Sequence, residues 1–182
     1  NPKVHFIGIG GAGMSGIARI MLAKGFSVSG SDKNDSSIIK SLKVLGAEIQ
    51  IGHSADNIKD CQLVIVSSAI LENNPELVTA KQKGIQIAAR AQALAWLMSD
   101  LTSIAVAGTH GKTTTTAMLT VALQSAGLDP SFAIGGTINT AGTNAHNGSG
   151  SIFIAEADES DGSFLAYKPS GAIITNVELD HV

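Results

Sequence analysis

The stretch Thr102–Ala126, TSIAVAGTHGKTTTTAMLTVALQSA, restricts the possible fold more than any other part of the chain. Its apolar run, Ile104–Ala107, has the length of a buried parallel strand. A glycine-interrupted turn follows, Gly108-Thr109-His110-Gly111, and Lys112-Thr113-Thr114 then opens a helix that closes at Gly127. Strand, glycine turn, Lys-Thr and helix is the order that binds nucleotide phosphates. Glycines let backbone N–H groups turn inward, the helix N-terminus adds partial positive charge, and the lysine reaches the outer phosphates. The Thr113 hydroxyl can hold Mg²⁺. The strict pattern G-x-x-x-x-G-K-[ST] requires glycine at position 106, where this chain has Val106. The flanking strand and helix carry the assignment instead. Thr113–Thr116 are poor helix formers with no packing purpose at a first turn, which argues against a plain solvated turn.

A second glycine loop lies near the start. Lys3–Ile9 reads as a strand that runs into Gly8-Ile9-Gly10-Gly11-Ala12-Gly13, satisfying G-x-G-x-x-G. Met14, Ile17, Ala18, Met21 and Leu22 then share one helical face, and Phe26–Ser31 forms a further strand that delivers Asp32. Asp32 follows Gly13 by nineteen positions, where a dinucleotide fold keeps its ribose-binding acid. The alternation continues. A helix capped by Asp35 or Ser36 runs through Leu45, a strand spans Glu48–Ile51, and another spans Leu63–Val66. A helix over Pro75–Lys83, a strand over Ile85–Ala88 and a helix over Arg90–Ser99 complete this half. The βαβ rhythm predicts a doubly wound parallel sheet over residues 1–100 and a second α/β unit over 101–182.

Composition narrows the function. Hydrophobic residues make up 44% and charged residues 15%, which is enough for a buried core and too little charge for disorder. A net charge of −3 without a basic cluster argues against nucleic acid as a partner. The single Cys61 leaves no internal disulfide and suits a reducing compartment. No signal pattern and no apolar run of membrane-spanning length occurs, so the expectation is a cytoplasmic protein without membrane insertion.

In the second unit, Ser131–Ile134 reads as a strand leading to Gly135-Gly136, and the Gly/Asn/Thr-rich Thr137–Gly150 reads as loop. Ser151–Ala155 is a strand ending at Glu156, placed to reach a metal at the phosphates. Of the following acids, Asp158, Glu159 and Asp161, one or two read as solvated. Gly171–Thr175 is another strand, and Asp180-His181 leaves the same sheet edge, where ligands gather. His181 is therefore a candidate metal or phosphate contact. His53 and the Ser67-Ser68 pair follow strands of the first unit and face its ligand crevice. His110 either donates to a phosphate or orients its turn, and Arg90 either pairs with an anion or caps a helix. Cys61, Trp96, Met14 and Met21 read as packing residues. The end at Val182, without a closing element, suggests part of something longer.

Four segments in this order, HFIGIGGAGMSGIA, VSSAI at Val66–Ile70, AVAGTHGKTTTTAML and IAEADESDGSFL ending at Leu165, together resemble the Mur ligases over essentially the whole chain. That resemblance implies a UDP-binding Rossmann-like domain, a central P-loop ATPase domain of which this chain carries about half, and an absent C-terminal domain. It implies an ATP-dependent ligase of peptidoglycan precursor synthesis, joining L-alanine to the lactyl carboxylate of UDP-N-acetylmuramate, with ATP and Mg²⁺, the fragment alone being inactive. By the same resemblance Gly10, Gly11, Ala12, Gly13, Met14 and Ser15 contact the sugar-nucleotide diphosphate, and Asp32, His53 and Ser67 surround its nucleoside or phosphates. Gly108 to Thr114 hold ATP, with Lys112 on the outer phosphates. Thr113 and Glu156 bind one Mg²⁺ and His181 a second, while Gly135, Gly136 and Asn144 match the loop beside the sugar. Leu179 departs from the proline more common before Asp-His in the family, which puts only the pose of His181 in question. Three other readings stay open: a ligase of murein-peptide recycling, which takes a tripeptide in place of alanine; a nicotinamide-dependent oxidoreductase built on Gly8–Gly13 with Asp32; and a binding module with no catalysis of its own.

Overall fold

A computed structural model describes residues 1–138, 143–157 and 163–178. The chain divides into two compact units, Asn1–Ala93 and Leu94–Val182. The boundary read from the sequence, at residues 100 and 101, lies a few residues beyond that division.

The first unit alternates strand and helix: β1 (Lys3–Ile7), α1 (Ala12–Ala23), β2 (Ser27–Asp32), α2 (Ser37–Val44), β3 (Glu48–Ile51), β4 (Leu63–Val66), α3 (Pro75–Gln82) and β5 (Gln86–Ala89). Helix α4 (Arg90–Met98) follows. All strands are parallel, in the order β3-β2-β1-β4-β5. The chain therefore walks outward from β1 to β3 and returns to the other side of β1. That makes the carboxyl ends of β1 and β4 the switch point, where open α/β sheets bind ligands. Local chemistry sets the helix starts. Ser36, of the two candidates, caps α2 by accepting from the Ile39 amide at 3.2 Å. Asn74 caps α3, with Pro75 in its first turn, by accepting from the Glu76 and Leu77 amides at 2.9 and 3.3 Å. Ile7 and Val64 pack with Ile58, Cys61, Leu77 and Ala80 in an apolar cluster that includes α3, so Cys61 is a packing residue. Met14 and Met21 are likewise buried.

The second unit contains β6 (Thr102–Ala107), α5 (Lys112–Ser125), β7 (Ser131–Ile138), β8 (Thr143–His146), β9 (Ile152–Glu156) and β10 (Gly171–Ile174). Its sheet runs β10-β6-β9-β7-β8, with only β8 antiparallel among these strands. Strand β6 thus lies between β9 and β10, and the loop that leaves it is flanked by the ends of both. Val106, Phe132, Ile134 and Ile154 form the core against Ala117, Leu119 and Leu123 of α5.

Three expectations change here. Thr137–Gly150 is not simply loop, because β7 continues to Ile138 and β8 returns beside it, pairing Phe132 with His146 and Ala133 with Ala145. Gly, Asn and Thr signal a hairpin turn as readily as a loop, and only the pairing partner distinguishes them. The glycines after β8 then lie on the turn before β7. The Ser149 amide and hydroxyl donate to Asp129 at 2.7 and 3.0 Å, beside His146 Nε2 at 2.9 Å. The Thr113–Thr116 run does have a packing purpose at its end, since Thr116 is fully buried while Thr113 and Thr114 are exposed. Trp96 is 52% exposed and so contributes less packing than expected.

Candidate functional site

Each unit carries a glycine loop at the carboxyl edge of its own sheet. In the first, Gly8 has φ +82°, and its amide and that of Ile9 donate to the Ser31 carbonyl at 2.9 and 3.0 Å. The Gly10 amide donates to Asp32 Oδ2 at 2.8 Å, and Asp32 Oδ1 accepts from the Asn34 amide at 3.2 Å. Asp32 therefore braces the loop as well as standing at the cleft. A Cβ on Gly10 would come within 2.8 Å of that carboxylate, and one on Gly13 within 2.9 Å of Arg90 Nη1. The Arg90 guanidinium lies against the first turn of α1. That helix begins after Gly11 with no side-chain cap and no acid in its first turn, so its N-terminus and Arg90 both favour negative charge nearby. Met14 is buried in the core, and the buried Ser15 donates to the Ala12 carbonyl at 3.0 Å, which turns its hydroxyl inward.

This loop borders a cleft of about 780 Å³. Asp32, His53 and Ser67 give it polar walls, and Ala69, Ile70 and Leu71 an apolar one, a combination that suits a nucleoside. Ser68, the residue after Ser67, is exposed and does not line the cleft. Behind His53 lies a group that sequence reasoning missed. Glu76, fully buried, has Oε2 3.1 Å from His53 Nδ1 and 2.5 Å from the Ser31 hydroxyl, while Oε1 accepts from Asn57 Nδ2 at 2.5 Å. His5 Nε2 is 3.9 Å from Oε1, and His5 Nδ1 is 3.0 Å from the Ser29 hydroxyl. Burial alone would push the Glu76 carboxyl up, but the His5 ring, the Ser31 hydroxyl and the Asn57 amide outweigh it and bring it down to about 2. Glu76 is thus an anion at neutral pH. The signal that could have found it is a glutamate in the first turn of a helix that covers a sheet face bearing His5, Ser29 and Ser31.

In the second unit Gly108 has φ +132° and Gly111 φ +83°, and Gly111 caps α5 without a side chain. Lys112 Nζ curls over the loop, donating to the Gly108 carbonyl at 2.5 Å, with the Thr109 carbonyl at 3.5 Å. The segment after β10 braces this loop, a second feature the sequence did not reveal. Thr175 Oγ1 lies 2.5 Å from the His110 carbonyl and 3.2 Å from that of Ala107. The Asn176 side chain accepts from the His110 amide at 2.9 Å, and its carbonyl accepts from the Thr109 amide at 3.3 Å. The Glu178 amide donates to Thr109 Oγ1 at 3.1 Å. His110 is exposed at the loop tip, with Nε2 4.0 Å from Glu178. Glu156 ends β9 opposite Val106. Its Oε1 is buried with no hydrogen-bond partner, and its Oε2 would lie 2.9 Å from a Cβ on Gly135. A buried carboxylate oxygen lacking a donor fits a cation ligand. Asn144 is buried in β8. His181, with Leu179 and Asp180, and the acids Asp158, Glu159 and Asp161 lie outside the described residues. Among the described residues no group of three or more His, Cys, Asp or Glu could hold a metal, and no helix is long and apolar enough to cross a membrane.

The description "Mur ligase family, catalytic domain" matches residues 3–102. The chain is 60% identical over 184 residues to the UDP-N-acetylmuramate–L-alanine ligase of Saccharopolyspora erythraea, covering 99% of this chain and 38% of that protein. It is 54% identical to the enzyme of the same name from Mycolicibacterium smegmatis, with 99% and 38% covered. The chain thus spans 38–40% of the length of the curated relatives it matches. The solved UDP-N-acetylmuramate-alanine ligase of Thermotoga maritima superposes with a TM-score of 0.93 at 36% identity, over 100% of this chain and 43% of that one. A Neisseria UDP-N-acetylmuramate:L-alanyl-γ-D-glutamyl-meso-diaminopimelate ligase gives 0.92 at 31% identity, over 99% and 62%. The relatives named here are all ligases, which speaks against the nicotinamide oxidoreductase reading. With its Rossmann-like first sheet, its second α/β unit and a family match across more than half its length, this chain belongs to the Mur ligase family.

Proposed function

We propose that this chain forms the sugar-nucleotide and ATP-binding parts of a cytoplasmic ligase that joins L-alanine to the lactyl carboxylate of UDP-N-acetylmuramate. The observation that carries this reading is the pair of phosphate loops in tandem, one with a lysine at its helix start and one without. Residues 1–100 hold the UDP-sugar. The first turn of α1 and Arg90 meet the diphosphate, and Ile70 and Leu71 face the uracil across from Asp32, His53 and Ser67. Residues 101–182 hold ATP, with the amides of Gly108 to Thr114 around the phosphates. Lys112 exchanges its carbonyl partners for phosphate oxygens.

Amide formation from a free carboxylate in water is uphill, so the oxygen must first become a leaving group. The lactyl carboxylate attacks the γ-phosphorus of ATP, the bond to the β-phosphate oxygen breaks, and ADP leaves an acyl phosphate. The alanine amine then attacks the acyl carbon, loses a proton and expels inorganic phosphate. Phosphoryl transfer of this kind depends on positioning and charge neutralisation, which is the work assigned to Lys112 and the loop amides. Mg²⁺, when bound, neutralises phosphate charge; Thr113 and Glu156 would hold one ion and His181 would contribute to a second. The murein-peptide ligase remains the second reading, because the Neisseria relative has the same two-unit architecture at 31% identity. Supplying L-alanine or the tripeptide to the full-length protein distinguishes the two.

Lys112→Ala in the full-length protein tests the division of labour. Turnover should fall by about 10²–10³-fold or more, while the affinity for UDP-N-acetylmuramate, measured by calorimetry, stays within about twofold. Equal loss of both would mean that the two loops do not serve separate ligands.

A further inference from the structure

Glu76 is a buried anion whose ion-pair partners, among the described residues, are two histidines and no lysine or arginine. Its surroundings dictate which tautomer the His53 ring adopts. The Ser31 hydroxyl donates its only proton to Glu76 Oε2, and so offers His53 Nδ1 a lone pair at 2.9 Å. The carboxylate offers another at 3.1 Å. Facing two acceptors, Nδ1 carries a proton. With that nitrogen committed inward, Nε2 is the ring's remaining polar atom, and His53, whose side chain is 20% exposed, lines the cleft. A neutral ring of this tautomer presents only a lone pair there, which repels phosphate and carbonyl oxygens. A second proton makes Nε2 a donor and leaves the ring a cation opposite the buried carboxylate.

We propose that Glu76 is a positioning residue for ligand binding: it fixes the His53 ring with Nδ1 protonated and Nε2 facing the cleft, so that a phosphate or carbonyl oxygen of a sugar nucleotide arriving there brings a second proton onto Nε2 and its binding takes up a proton. This rests on the reading of the cleft as the UDP-sugar site. The other titratable groups around the pair are accounted for. Asp32 and Lys33 line the same cleft. His5 faces Glu76 from β1, its Nε2 buried without a hydrogen bond. Lys3, Glu48, Asp56 and Lys59 line a separate cavity of about 280 Å³ on the His5 side and cancel in charge. His53 is the histidine common to Glu76 and the cleft.

The test is a titration of the full-length protein with UDP-N-acetylmuramate between about pH 5.5 and 8, a range in which the ligand's diester diphosphate and carboxylate stay ionised. Wild-type affinity should fall as pH rises, by up to about tenfold per unit where one proton is taken up. Calorimetry in buffers of different ionisation enthalpy should register that proton. Glu76→Gln should weaken binding roughly tenfold at the acid end and flatten the profile. A pH-independent wild-type affinity without proton uptake, or a Glu76→Gln protein with the wild-type slope, overturns the proposal and leaves the cleft assignment standing. Absence of binding at every pH overturns the cleft assignment itself. Should Glu76→Gln fail to fold, ring-nitrogen NMR of the wild-type complex decides: a protonated Nε2 on His53 upholds the proposal, and a bare one overturns it.

Discussion

The two glycine loops are built from the same motif logic but held in place in different ways. Gly8–Gly13 is fastened from β2, the next strand in the chain, through the Ser31 carbonyl and the Asp32 carboxylate. Gly108–Gly111 is fastened from β10, through Thr175 and Asn176, across some 65 intervening residues. A Cβ at Gly10 would meet a carboxylate that can shift. One at Gly108 would lie 2.9 Å from the Asn176 carbonyl and closer still to Thr175 Oγ1, so main chain as well as side chain stands in its way. A loop fastened by its neighbour tolerates local change, whereas one fastened by a distant strand ties its own shape to the integrity of the whole sheet.

The sharpest attempt to break this contrast compares Gly108→Ala with Gly10→Ala. Strained φ and backbone collision together should cost the second unit roughly 4 kcal/mol, read by urea unfolding through Trp96, the only tryptophan in the chain. Gly10→Ala, which displaces a carboxylate, should cost the first unit about 1 kcal/mol by hydrogen exchange. Equal losses would show the braces to be equivalent.

Acid should separate the units next. The Glu76 carboxyl is held down to about 2, below its ordinary range, so its contribution is fully present above the unfolded value and disappears as pH falls through the folded one. The first unit should lose on the order of 3 kcal/mol between about pH 4.5 and 2, as hydrogen exchange of its strands will report. In the second unit, backbone and side-chain hydrogen bonds from Ser149 and His146 lower Asp129, but that carboxylate lies at the surface and adds little. A flat acid profile for the first unit would remove Glu76 from its stabilising role.

An effect smaller than that of acid belongs to Thr175→Val, which deletes the hydroxyl contacts to the Ala107 and His110 carbonyls. About 1–2 kcal/mol of stability should go from the second unit, with ATP affinity reduced several-fold and UDP-N-acetylmuramate affinity unchanged. Unaltered ATP affinity would reduce the distant brace to packing alone.

Much of this was legible in the chain. The strands β3 and β4 fall on the residues their apolar patterns marked, and the Ser36 cap follows from local chemistry. Asp32, picked out by its spacing from Gly13, does stand at the first loop. The missed pieces share a different character. Glu76, His5 and Ser31 are polar residues on three elements, and nothing in their own segments distinguishes a buried network from a wet surface. Strand β8 required a partner to define it, and Thr175 and Asn176 looked like an unremarkable strand end. Trp96 was judged by residue type, yet half its surface faces solvent.

The sequence by itself determined the order of strands and helices, the two glycine turns and the lysine at only one of them, because apolar periodicity, caps and glycine conformations act within a few residues. The tertiary structure decided what holds those turns and which side chains stand behind them. Sheet order brings β10 beside β6 and lays α3 against the His5 face of β1, and hydrogen bonds between residues dozens of positions apart exist only once those neighbours are set.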